Sequence, residues 1–476
     1  MSIFYGAAQM RFRFLVSAIC TILFAGSWCL SLTTGNSFWL GLDRNTYIMH
    51  LGIWAGLFFF IYLSTFLAGK RSSLAEKRMG IFIFIISFIN LADYGLRSIF
   101  GEVGKWPSTV LLSWGILTLL LPAIAAYISL RINVSFQILN KIIKVCILPC
   151  ILLVIYAIPS GFTITHVERP QVQGNLQPIH LILFDRLSYD YLIKNNSVSY
   201  EYPSFKSFSQ NADLFINASS NADSTIQSVP KLLTGVDFEK FERNSTQLQV
   251  KLSNSPELVS TSSIETIFAL AHRDGYNNFL RAFAFPYLNN FGNHIQSGRV
   301  YPFINPWRVG MHGMVWPIIS PGGVHNQKIV ETILAEYINR IREYPQNTLF
   351  YTHWNLPHYP YIFDENGYML SRFEYTKELL TKPSPKVKYR HQLKGTDKIF
   401  GQIIQTLKNN KTYDNSLIIV TSDTNIQGYD LQHVPLFIKR PYQKISKTVK
   451  SHVTYPDLFN FIKHFILFQN CDSAIL

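Results

Sequence analysis

Cysteine is scarce: five occur in 476 residues, and four of them (Cys20, Cys29, Cys146, Cys150) fall inside apolar runs, leaving Cys471 alone outside. One such residue excludes a disulfide framework and a cysteine-rich zinc site. Charge is scarce as well, at 15 % of residues against 48 % hydrophobic, a balance that points to membrane. There is no internal repeat and no low-complexity tract. Beyond residue 165 long apolar runs are missing, so the chain changes character there. The net charge of +14 is scattered rather than gathered on one run or helix. That argues for no nucleic acid as partner and fits attraction to anionic lipid headgroups.

The first 161 residues hold five apolar runs, at about 12–34, 46–68, 79–99, 108–130 and 143–161, each near the roughly 20 residues that cross a bilayer. Arg11 and Arg13 precede the first run. Lys70, Arg71, Lys77 and Arg78 lie between the second and third, Arg131 and Lys141 between the fourth and fifth, and Lys144 at the start of the fifth. The positive-inside rule puts these segments in the cytoplasm. Five spans then deliver everything that follows to the extracytoplasmic, periplasmic side of a cell (inner) membrane. The length of the first run, and the runs after it, argue against a cleaved signal peptide. Asp93 and Arg97, four apart near the end of the third run, read as a snorkelling pair. A transporter fits poorly, because the runs show no repeated halves.

Residues 162–178 are polar, contain Pro170 and Pro178, and read as a linker to a domain over 179–476. Ile179–Phe184, Thr348–Trp354 and Ser416–Val420 are short continuous apolar runs, the pattern of strands buried on both faces. Residues 391–408 carry a helical stripe of Leu393, Ile399, Phe400, Ile403, Ile404 and Leu407. Strands alternating with helices predict an α/β domain with a mostly parallel central sheet flanked by helices. Ligands of such sheets collect at the carboxyl ends of the strands. Asp185, His358 and Asp423 each follow one of the three strands. Residues 244–263, rich in Ser, Thr and Asn, read as a surface loop.

The segments HLILFDRLSYDYL (180–192), NADSTIQSVPKLLTG (221–235), YTHWNLPHYPYIF (351–363), YRHQLKGTDKIFGQIIQTLK (389–408) and SLIIVTSDTN with HVPLFIKRP (416–441) occur in order. In this the chain resembles membrane-anchored sulfatase-like proteins of the alkaline phosphatase superfamily, among them phosphoethanolamine transferases and lipoteichoic acid synthases. The resemblance implies that Asp185 is a metal-binding carboxylate; read alone it could equally cap a helix. It implies that Thr225 is the nucleophile and a metal ligand at a helix start, where backbone N–H groups hold an oxyanion. An isolated Ser-Thr pair would be only a capping signal. His353 and His358, five apart like two histidines of the transferases, become substrate-binding residues, with His358 also a candidate general acid or metal ligand. His353, inside a strand, could instead be structural. Asp397 reads as a packing or capping residue.

One departure matters. Relatives of this kind read Ser-Asp-His-Gly after the last strand, whereas this chain reads Ser422, Asp423, Thr424, Asn425. A hydroxyl stands where an imidazole ligand is expected, and His433 is the candidate to fill the gap. No Cys or Ser followed by x-Pro-x-Arg surrounds Thr225, so the formylglycine route to sulfate esters is not expected. The disulfides usual in phosphoethanolamine transferases are missing too. The resemblance thus implies a membrane-embedded metalloenzyme with a divalent ion, zinc or manganese, held by Asp185, Asp423, His433 and Thr225. It would act on a membrane lipid or envelope glycan as a hydrolase or transferase. The alternative is a catalytically inactive binding or scaffolding relative.

Overall fold

The computed structural model describes residues 175–301, 322–371 and 384–469 apart from 245–246 and 253–256, together with Glu374 and scattered residues between Arg13 and Ile83. The five apolar runs lie almost wholly outside the described residues. Within the second, residues 61–68 are helical, and the Thr65 hydroxyl donates to the Ile61 carbonyl at 3.1 Å. Among the described residues no helix is long and apolar enough to cross a membrane. The chain divides into two compact units, the second comprising Ile164–Phe303 and Pro321–Leu476.

That second unit is built on a nine-stranded sheet. In chain order its strands are β1 (Ile179–Asp185), β2 (Asp213–Ser219), β3 (Asn277–Phe283), β4 (Ser297–Tyr301), β5 (Thr348–Pro357), β6 (Leu417–Ser422), β7 (His433–Lys439), β8 (Thr448–Val449) and β9 (Val453–Thr454). The spatial order is β8-β2-β7-β6-β1-β5-β3-β4, with β9 also on β2. All pairings are parallel except those of β7 with β6 and β2. Every residue of β1, β5 and β6 is buried, as their unbroken apolar runs require of central strands covered on both faces.

Helices supply the cover: α1 (Tyr189–Leu192), α2 (Pro203–Phe208), α3 (Thr225–Thr234), α4 (Ile267–Arg273), α5 (Gly322–Glu343), α6 (Pro385–Asn409) and α7 (Tyr455–Phe468). α6 packs on α2, α5 and β5, while α7 packs on α3 and α4. Successive strand residues point to opposite faces. Phe184 therefore meets Phe205 of α2 and Phe400 of α6, whose rings stack at 4.4 Å. Each such buried ring contributes about 1.5–3 kcal/mol. Its neighbours Leu183 and Asp185 turn the other way. Asp397 closes the same packing: its carboxylate accepts from the amides of Ser204 and Phe205 at 3.1 and 2.9 Å and so caps the N-terminus of α2.

The surface loop expected over 244–263 is instead part of a small antiparallel sheet of Phe238–Asn244, Gln247–Leu252 and Leu258–Ser260. Leu248 and Val250 are buried while Gln247 and Lys251 are exposed, so a period of two is present within a polar composition.

Candidate active site

The sheet register brings the site together. Leu183 of β1 is level with His353 of β5 on one side and Thr421 of β6 on the other. Two residues further on, Asp185 and Asp423 leave their strands side by side. One ligating atom from each of Asp185, His353 and Asp423 lies within 4.8 Å of the others. Asp423 is fully buried, His353 is 1 % exposed and Asp185 9 %.

Asp423 is oriented by its backbone neighbours. Its Oδ1 accepts from the amides of Arg186 at 2.9 Å and Thr424 at 2.7 Å, and its Oδ2 accepts from the Thr225 hydroxyl at 2.5 Å. Thr225 is the first residue of α3, with Ser224 as N-cap. The helix N-terminus, with its unpaired amides, is thereby aimed at the same place. Burial pushes the Asp185 carboxyl well above the usual carboxylate range, the adjacent Asp423 pushes it further, and Arg186 opposes both. Two carboxylates so placed call for a cation.

His353 completes the set. Burial holds its ring down to about 4, although Asp423 works in the opposite sense, so the imidazole is neutral at pH 7. Its Nδ1 lies 2.7 Å from the Tyr287 hydroxyl, which lies 2.8 Å from that of Tyr351. With the proton on Nδ1, the lone pair is on Nε2, and that buried atom has no hydrogen-bond partner. An orphaned imidazole nitrogen beside two carboxylates and a hydroxyl is a donor set suited to a divalent ion of the zinc or manganese type. The residues present fit the metal that the resemblance implies.

Two expectations change. His433 is not in the cluster: its Nε2 donates to the Ile216 carbonyl at 3.1 Å and its ring stacks on Tyr189 at 3.9 Å. The imidazole that the cluster does contain is that of His353 on β5, two strands from β6, a residue expected to bind substrate. His358 lies next to the cluster, its amide donating to the Asp185 carbonyl at 3.1 Å. Burial first, then Arg186, lowers its ring to about 4, and Nδ1 donates to the Tyr359 carbonyl at 2.5 Å. At neutral pH it presents an acceptor, and it can act as an acid only after taking up a proton. Thr424 is buried, and its carbonyl accepts from the Ser422 hydroxyl at 2.7 Å.

The sequence reading also missed Tyr287, which fixes the His353 ring, and the clamp on the turn after β1. There the Leu187 amide donates to Ser422 Oγ at 2.8 Å and the Ser188 amide to the Tyr389 hydroxyl at 2.9 Å. Tyr287 opens a helix of five residues, Tyr287–Phe291, too short to carry a period that would have revealed it.

Comparison with known proteins bears on the family of this domain. The Sulfatase family model matches residues 178–463. Among solved structures, the phosphonate monoester hydrolase of Agrobacterium radiobacter is 16 % identical, with 61 % of this chain and 73 % of that one covered and a TM-score of 0.44. A putative sulfatase from Bacteroides fragilis is 15 % identical (64 % and 77 % covered, TM-score 0.42). An alkaline phosphatase superfamily protein from Vibrio parahaemolyticus is 16 % identical (62 % and 67 %, TM-score 0.42). No curated protein matches the chain.

Proposed function

Because the chain belongs to the Sulfatase family, matched over more than half its length, we propose that it is a membrane-anchored, metal-dependent hydrolase or transferase in which Thr225 attacks a phosphate or sulfate ester of an envelope lipid or glycan. The observation that carries this reading is the convergence of Asp185, His353 and Asp423 within 4.8 Å, with the Thr225 hydroxyl on Asp423. A bound divalent ion would be held by these three residues with Thr225, and it would supply Lewis acidity that lowers the pKa of the hydroxyl.

Thr225 Oγ1 forms the new bond to phosphorus or sulfur as the bond to the leaving alcohol breaks. Asp423 Oδ2 is the immediate acceptor for the hydroxyl proton. The amides at the start of α3 receive the charge that builds on the non-bridging oxygens. The covalent ester on Thr225 then passes to water or to an acceptor alcohol, which regenerates the hydroxyl. The proton taken up by Asp423 passes on to the leaving alkoxide. In the second half-reaction His358, neutral and able to accept, takes the proton of the attacking water or alcohol and gives it up as the Thr225 hydroxyl is restored.

Membrane anchoring rests on the five apolar runs and the basic segments between them. It would hold the domain at the surface where lipid-linked substrates are concentrated. The test is metal content of the purified full-length chain by elemental analysis, followed by mass spectrometry for a substituted Thr225 after incubation with bis(p-nitrophenyl) phosphate. Near-stoichiometric metal with a modified Thr225 supports the enzyme. A chain that takes up no zinc or manganese at micromolar concentrations is instead the non-catalytic binding relative that Thr424 would suggest.

A further inference from the structure

Arg186 follows Asp185 directly and takes a left-handed backbone conformation, φ 61°, which a non-glycine residue keeps only where its surroundings hold it. Here its amide donates to Asp423 and its carbonyl accepts from the Tyr389 hydroxyl at 2.7 Å. The guanidinium is different: half-buried, it makes no hydrogen bond or ion pair with the described residues. Other cations of the region are engaged. Lys231 pairs with Asp237 at 2.7 Å and donates to the Asn221 carbonyl, and Arg390 lies over the Tyr191 ring. The next acid along the chain, Asp190, is held by the Asn425 amide at 2.9 Å.

A second group is unpartnered on the strand beside Asp185. Asn355 lies in the stretch where β5 slips register past Asp185, is 1 % exposed, and has neither its amide oxygen nor its nitrogen bonded. A buried amide left so is costly, and a ligand that bonds to it removes the cost. With a divalent ion between Asp185 and Asp423, the ligand charges cancel. Arg186 then adds one positive charge that no carboxylate of the described residues pairs with.

On the reading given under the proposed function, we propose that Arg186 and Asn355 form the subsite for the non-bridging oxygens of the substrate. A single free guanidinium matches a singly ionised ester, a phosphodiester or a sulfate ester, better than a doubly ionised phosphate monoester.

The test is calorimetric titration of the zinc- or manganese-loaded full-length chain with diphenyl phosphate, singly charged, and phenyl phosphate, doubly charged at pH 8. Diphenyl phosphate binds more tightly in the parent chain. Arg186→Gln weakens it by about 10- to 100-fold at unchanged metal content, and Asn355→Leu by about 5-fold. Arg186→Lys, which keeps the charge without the planar fork, falls between parent and Gln variant. Should the Gln variant lose its metal, the Lys variant carries the test, weaker binding supporting the proposal and parent-level affinity overturning it. Unchanged affinity in a metal-loaded Arg186→Gln overturns the subsite and leaves the metal centre standing. Tighter binding of phenyl phosphate overturns the charge preference. A parent chain that takes up neither metal overturns both readings.

Discussion

His180 and His353 are near-duplicates at opposite ends of adjacent strands. Each is buried and neutral, each has Nδ1 against a tyrosine hydroxyl (Tyr337 at 2.8 Å, Tyr287 at 2.7 Å), and each has a buried Nε2 with no partner. His180, at the amino end of β1, stacks on Phe350 at 4.6 Å, with Lys439 the charge that bears on it. His353, near the carboxyl end of β5, faces Asp185 and Asp423. A buried orphaned imidazole is therefore not a ligand by itself. It becomes one where the topology of a parallel sheet gathers the carboxylates that follow its strands.

Substitution can pull this comparison apart. The largest effect is expected outside it, at the proposed nucleophile: Thr225→Ala lowers turnover of bis(p-nitrophenyl) phosphate by at least about 10³-fold. Thr225→Ser keeps part of the activity, since a hydroxyl remains at the start of α3. Next comes the pair itself. His353→Ala lowers zinc or manganese affinity by at least about 100-fold, the upper end of what loss of even an outer partner costs. His180→Ala leaves metal affinity unchanged although it opens a cavity. Competition with a chromophoric chelator reads both, and equal affinities in the two variants would show that His353 is structural.

How far this was legible depended on the kind of pattern each residue belongs to. β1, β5 and β6 could be read because a strand buried on both faces must be apolar without interruption. Asp185 and Asp423 were legible as the polar residues that end such runs. The place of His353 beside the two carboxylates was not legible because it depends on register, Leu183 against His353 on adjacent strands, which no local pattern encodes. His433 looked suitable by its place before the apolar run VPLFIKR, yet it is the first residue of β7 and its ring turns to Ile216 and Tyr189. The small sheet over 238–260 was hidden because its Ser, Thr and Asn content outweighed the alternation of Leu248 and Val250.

The tyrosines give a milder form of the comparison. Tyr287→Phe leaves His353 without the partner that sets its tautomer, and metal affinity falls by about 10- to 100-fold. Tyr337→Phe removes the corresponding partner of His180 and costs about 1–3 kcal/mol of stability, with metal affinity intact. Denaturant unfolding beside the chelator assay separates the two. Should Tyr287→Phe bind metal as the parent does, the proton on His353 is not positioned through Nδ1.

The smallest effect is a dependence on pH that belongs to His180 and not to the metal centre. Burial first, and then Lys439, lowers its folded-state value to about 3, against about 6.5 in the unfolded chain. The native state therefore favours the neutral ring, while the unfolded state takes up a proton as pH falls below 6.5. This contribution to stability is fully present above pH 6.5 and is lost as pH falls through the window toward 3, by up to about 1.4 kcal/mol per unit. His180→Phe keeps the stacking on Phe350 and removes the proton uptake. Between pH 6.5 and 5.5 the denaturation midpoint of the variant should thus fall less steeply than that of the parent. Parallel slopes would mean that the acid sensitivity arises from other groups, and the two histidines would then differ in more than their carboxylate neighbours.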